Sequence, residues 1–260
     1  MNTVIDLSLW QMAAASVFIV VLLVIVRIKK ISREKEILIS SIRMTLQLVL
    51  TGYVLMYLFE HPAPFLTILV LLIMEAFAIF NVIKRSKSKL SGKLKKVIAM
   101  SIIIGTTSSL FYFLVVVIRL HPWYDPRYFI TIAGMLIGNS MTGISLGVHR
   151  LADGMRTQRN LVEGALMLGA APKTAVKQIL DNAFDAAILP TINSMVGMGI
   201  VFLPGMMTGQ ILSGISPVTA IEYQIAIMLG ILGSVALTVI LFIQIGYKTF
   251  FNEQDQLVIE

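Results

Sequence analysis

Two ionisable residues stand inside otherwise apolar stretches of the sequence, Arg43 within 37–59 and Glu75 within 63–83. A charge held in hydrocarbon is costly, so such residues pair, snorkel to an interface, or handle a proton or a cation. At a helical rise of about 1.5 Å per residue, Arg43 falls roughly 9 Å from the start of its stretch and Glu75 roughly 12 Å from the finish of its own, which two successive spans would place on the same side. Adjacent antiparallel helices would bring the two together as a structural pair. The other reading makes Glu75 a cation ligand or proton carrier. A softer set, Met195, Met198, Met206 and Met207, flanks Pro204-Gly205. Thioethers suit Cu(I) better than Fe(II), which takes harder N and O donors. With 15 methionines in the chain, gap-filling in an apolar interior accounts for them better. No His, Asp and Glu set has metal-site spacing, so no metal ligand is assigned.

Several chemistries are excluded. The chain has no cysteine, which removes disulfides, zinc–thiolate sites, iron–sulfur clusters and thiol catalysis. A phosphate-cradling P-loop needs G-x-x-x-x-G-K-[ST]. The Gly92-Lys93 pair is followed by Leu94 and lacks the upstream glycine. H-E-x-x-H is absent, and no serine has an evident His and Asp partner set. The chain is expected to be no enzyme and to carry no cofactor of its own.

The elements that must hold these residues are membrane spans. Of 260 residues, 57% are hydrophobic and 13% charged, with mean hydropathy +0.87. A soluble domain has about twice that charged fraction. A spanning helix needs about 20 apolar residues. Spans are expected at 7–27, 37–59, 63–83, 97–118, 128–148, 186–212 and 219–247, the first read as a retained helix. The class is therefore all-α, a polytopic membrane protein of about seven transmembrane helices in one domain covering 1–260. Of the 21 Lys and Arg, all but Arg43, Arg119 and Arg127 fall in alternate connections, including the run Lys84, Arg85, Lys87, Lys89, Lys93, Lys95 and Lys96. The positive-inside rule makes that side cytosolic, with the amino terminus outside and the carboxyl terminus in the cytosol. The net charge of +7 is thus explained by topology and lipid headgroups, and nucleic acid is not an expected partner.

Three segments carry further expectations. The fifth span places Gly134, Gly138, Thr142, Ser145 and His149 on one stripe, with Asn139 and Ser140 beside it; helix packing is favoured over a substrate path. The sixth span, with Pro190 and Pro204-Gly205, should break near 203–205, where Asn193, Ser194, Thr208 and Gln210 offer partners for freed backbone. Translocation-path candidates are Glu75, Asn139, Asn193, Met195, Met198, Pro204, Met206, Met207 and Gln210. Between spans five and six, the segment 150–185 fits a helix over 157–168, a stop at Gly169 and a second helix from Pro172. Leu161, Ala165 and Leu168 share one face of the first helix. The unit is either an elbow that engages a cytosolic partner or an amphipathic hairpin on the headgroups.

Glu163-x-Ala165-x-x-x-Gly169 resembles the EAA-loop pattern of ABC importer permeases. Gly164 replaces its first alanine, and Leu189-Pro190 lies farther downstream than usual. The segments IGNSMTGISLGVHRL (137–151), VEGALMLGA (162–170), LPTINSMVGMGIVFLPGMMTGQILSG (189–214) and EYQIAIM (222–228) look like the FetB-type (UPF0014) permease family. The resemblance implies a homodimer of permeases in the bacterial inner membrane, involved in metal export. It implies a separate ATP-binding subunit holding ATP and Mg, with Arg159, Glu163, Ala165 and Gly169 coupling to it. An ion-gradient-driven secondary transporter using Glu75 is the alternative, and a non-transporting scaffold is a further one.

Overall fold

A computed structural model describes residues 5–86 and 90–258, which leaves Lys87 and Lys89 of the basic run outside the described residues. The chain is all-helical: α1 (Leu9–Ala15), α2 (Val17–Ile28), α3 (Glu34–Glu60), α4 (Pro64–Arg85), α5 (Gly92–Tyr112), α6 (Pro126–Thr157), α7 (Arg159–Met167), α8 (Pro172–Ala175), α9 (Lys177–Gly197), α10 (Gly205–Leu212) and α11 (Pro217–Gly246). Six helical segments among the described residues are long and apolar enough to cross a bilayer: Leu9–Ile28, Glu34–Glu60, Pro64–Arg85, Gly92–Ile118, Pro126–Thr157 and Pro217–Phe250. Each overlaps an expected span. The seventh expected span, 186–212, is divided between α9 and α10 and gives no single long apolar helix.

Helix starts follow local chemistry. Ser8 and Gln11 form a reciprocal capping box at α1. Asp125 caps α6 by accepting from the Arg127 N–H at 3.0 Å, with Pro126 in the first turn. α5 ends in a π turn, Phe113–Ile118, beside Gly230 of α11, where an added Cβ would lie 2.8 Å from the Phe113 ring.

The core is a bundle of α4, α5, α6, α9 and α11 around α6. Glycine permits its closest approaches. A Cβ on Gly105 of α5 would stand 2.3 Å from Thr238 Oγ1 and 2.7 Å from Thr238 Cα on α11. On Gly143 of α6 it would meet Val235 at 2.8 Å and the Ala187 carbonyl at 3.2 Å. The expected packing stripe is therefore rotated. Gly143, Gly147 and Ser140 are buried, while Thr142 and His149 are exposed and Gly138 faces open space. α1 and α2 lie outside this core, and α3 touches it at α6, with Leu58 buried and two cation–π contacts, Arg43 5.1 Å from the Phe77 ring and Arg127 5.8 Å from the Phe59 ring.

At 32 residues α6 is about 48 Å long, against a hydrocarbon thickness of about 30 Å. It runs on without interruption to Thr157, into the segment 150–185 expected to lie outside the membrane, and so positions the elbow.

Candidate functional site

The helix, the stop at Gly169 and the second helix from Pro172 form as the spacing predicts, and the bend they make is the elbow. α7 follows α6 across Gln158 and ends in a Schellman motif. Gly169 N–H donates to the Leu166 carbonyl at 2.9 Å, and Ala170 N–H donates to the Ala165 carbonyl at 3.0 Å. Gly169 has φ +87°, the left-handed conformation that closes the motif. Pro172 then opens α8 in its first turn. Arg159 Nε donates to Glu163 Oε1 at 2.7 Å, one turn along α7. Both side chains are partly exposed, so this pair orients more than it stabilises.

Val162 is buried and Leu166 packs against the core, which pins one face of α7. The opposite side is unusual for a polar connection: Leu161, Met167 and Leu168 are 72%, 86% and 91% exposed. Ala165 is half-buried between the two faces.

Sequence reasoning missed the neighbour of this elbow. After a short 3₁₀ turn at Tyr247–Phe250, the chain hooks back, with Phe251 bridged to Leu257. The Asn252 side-chain carbonyl accepts from Gln254 N–H at 3.0 Å and Gln256 N–H at 2.8 Å. Leu257 is buried. A cleft of about 680 Å³ separates Glu163, Met167 and Gly169 from Gln254–Leu257. Paired phenylalanines at 250–251 and the apolar run LVI at 257–259, behind the polar stretch NEQDQ, were the available signal.

Inside the bundle, Glu75 is buried at 4% exposure. Its Oε1 accepts from the Thr106 hydroxyl and, at 3.5 Å, from Thr107. Its Oε2 has no partner among the described residues. No ion pair joins it to Arg43 among the described residues. The reason is rotational. Phe77, two residues from Glu75, lies roughly 200° round α4, so the face that Arg43 covers is opposite the face that points at α5. The same interior holds a Ser140–Ser234 hydroxyl contact at 3.0 Å and the unpartnered hydroxyls of Ser101 and Thr238. None of these partners was foreseen.

The expected break occurs, and it begins earlier than expected. α9 stops at Gly197, and a tight loop over 198–204 leads to Pro204, the N-cap of α10. Gly199, at φ +82°, sends its N–H to the Phe202 carbonyl at 3.0 Å. Met195, Met198 and Met206 pack against the core and Met207 is buried, in keeping with a space-filling role. The loop draws in a residue the sequence did not single out: buried Gln224 of α11 donates from Nε2 to Met198 Sδ at 3.7 Å. The Oε1 atoms of Gln210 and Gln224 have no partner among the described residues. Asn139 turns its amide to its own helix, onto the Met135 carbonyl at 2.7 Å, and Asn193 is exposed. The path candidates therefore divide into Glu75 on α4, the break on α9–α10, and two outward-facing asparagines. Among the described residues no group of three His, Asp or Glu is placed to hold a metal ion.

Comparison with known proteins agrees with this architecture. The model of the family described as "Uncharacterised protein family (UPF0014)" matches residues 9–251. The chain is 34% identical to the probable iron export permease protein FetB of Escherichia coli, over 96% of this chain and 94% of that protein. It is 33% identical to the UPF0014 membrane protein YjkA of Bacillus subtilis, over 95% and 97% respectively. It is 36% identical to the protein ALUMINUM SENSITIVE 3 of Arabidopsis thaliana, over 94% and 88%. No solved structure matches it. A family match across nearly the whole chain, carried by relatives of the same length, establishes that this multi-pass membrane protein belongs to the UPF0014 family.

Proposed function

We propose that the chain is the permease subunit of an ABC exporter of iron or another metal ion, working as a homodimer with two copies of a separate ATP-binding subunit. The observation that carries this reading is the elbow. A short helix, locked by a Schellman turn and buried along one side, presents Leu161, Met167 and Leu168 outward. Exposed apolar residues on a rigid connection fit a protein groove better than water. The name of the Escherichia coli relative, a probable iron export permease protein, supports iron as cargo.

In this reading α9, the loop 198–204 and α10 together make one interrupted crossing, for seven in all. The amino terminus is outside, and the elbow and carboxyl terminus are in the cytosol of a bacterial inner membrane. ATP and Mg are held by the partner. Its closure moves Arg159–Gly169, and α6 and α9 carry the displacement to the break. Freed backbone and the amides of Gln210 and Gln224 surround that break, as polar groups do at interrupted helices in transporters.

Glu75 carries the competing reading of a gradient-driven transporter, because a buried carboxylate with one unpartnered oxygen is a place for a proton or cation.

The chain has no cysteine, so a single Met167→Cys substitution gives a clean cross-linking probe. Capture of an ATP-binding-cassette subunit, together with ATP-dependent iron efflux from proteoliposomes holding both proteins, is the expected result. Efflux by the purified chain alone, driven by a proton gradient, would replace this mechanism with the Glu75 one.

A further inference from the structure

Where the first turns of α9 lie against the last turns of α11, a groove of about 520 Å³ opens beside the elbow. Its floor is apolar, formed by Leu180 and Phe184 of α9 and Ile240 and Ile243 of α11. Its rim is polar and carries Lys173, Thr174 and Lys177. Lys177 is held by Asp181 at 2.6 Å, but both partners are well exposed, so a stronger anion can displace that contact. Lys173 enters no ion pair among the described residues. The rim therefore has one positive charge in excess and a hydroxyl.

The two chemistries are stacked along one helix. From Lys177 to Phe184 is seven residues, about 10 Å of helical rise, close to the step from a phosphate to the upper carbons of an acyl chain. A soluble anion would use the rim and leave the floor wet. A neutral lipid would use the floor and leave Lys173 unmatched. We propose that this groove is a binding site for one anionic phospholipid, its phosphate at Lys173, Thr174 and Lys177 and one acyl chain along the floor. Basic pockets between spanning helices on the cytosolic side recognise acidic headgroups in this way. The proposal rests on the membrane placement given above and is independent of the ATP-binding partner. Lys173 follows Gly169 by only four residues, so the bound lipid braces the second limb of the elbow.

The test uses the full chain in nanodiscs of phosphatidylcholine and phosphatidylglycerol in equal parts. Lipid retained after delipidation is counted by native mass spectrometry. The wild type should hold phosphatidylglycerol in preference to phosphatidylcholine, and Lys173→Gln with Lys177→Gln should reduce that preference roughly fivefold or more. Lys95→Gln with Lys96→Gln should leave it intact. Ile240→Trp, which fills the floor without touching the rim, should also release the lipid; if that variant does not fold, the lysine pair decides. Equal retention of both lipids, or undiminished retention by the Lys173 and Lys177 variant, overturns the proposal. So does displacement of the lipid by millimolar inorganic phosphate, which would mark an ion site. A lysine variant that keeps its lipid but loses capture of an ATP-binding subunit would instead identify the rim as a protein dock.

Discussion

Replacing Gly169 by alanine isolates the elbow from everything around it. Nothing lies within 4 Å of a Cβ built there, so packing contributes neither gain nor loss. The whole effect is backbone conformation: φ is +87°, and an L-residue held in the left-handed region costs about 1–2 kcal/mol. The two hydrogen bonds that close the turn, from Gly169 and Ala170, open together when the motif fails. With about 1.4 kcal/mol to each decade of population, their amides should exchange with deuterium roughly five- to thirtyfold faster in Gly169→Ala. Asparagine tolerates this conformation, so Gly169→Asn should stay within about twofold of the wild type. Gly164 gives the opposite sign. It is helical, with open space around it, and alanine there should slow exchange in α7 through a gain of about 0.5–1 kcal/mol. The same variants, with the proposed ATP-binding subunit added, should lose stimulated ATPase activity in the order alanine, then asparagine, with Gly164→Ala unimpaired. Wild-type exchange in Gly169→Ala, or an asparagine variant as damaged as the alanine one, would refute the reasoning.

Other substitutions probe the bundle. Gly105→Ala drives a methyl to 2.7 Å from the Thr238 backbone, where 3.4–4 Å is ordinary contact, so α5 and α11 must part. The expected loss is about 1–3 kcal/mol, read as a lower melting temperature in detergent, whereas Gly233→Ala, in open space, should cost nothing. Glu75→Gln keeps the Oε1 acceptor for Thr106 but replaces the unpartnered oxygen with an amide. It should assemble normally and keep ATP-driven flux, and a loss of flux would give Glu75 the proton or cation role of the competing reading. Truncation after Phe251 removes the hook beside Glu163 and Met167 and should make α7 more sensitive to protease while the spans stay protected.

Six of the seven expected spans were legible because apolar length is a local property, and so was the bend at 169–172, whose glycine and proline mark a turn within a dozen residues. What failed to read out depends on how helices are rotated against one another. Glu75 was set against Arg43 from depth alone, but depth does not say which face of α4 meets α5, and Thr106 takes that face. The small-residue stripe on α6 was misplaced for the same reason, since Gly143 and not Gly138 is where α11 comes close. Pro204 drew the expected break to itself, although Gly197 and Gly199, seven and five residues earlier, already end α9. Gln224 became interesting only once the loop carried Met198 beside it.

The two long limbs that meet at the elbow differ in stiffness. α6 is one continuous rod from Pro126 to Thr157, whereas α9 ends at Gly197 and hands over to α10 through seven non-helical residues. A tilt applied at their common root reaches the far leaflet at full amplitude along the rod. Along the jointed limb it stops at the joint, and α10 can keep its seat against α11. The outcome is shear between neighbours that began as one unit, concentrated where Ile200 and Val201 project at 90% and 81% exposure.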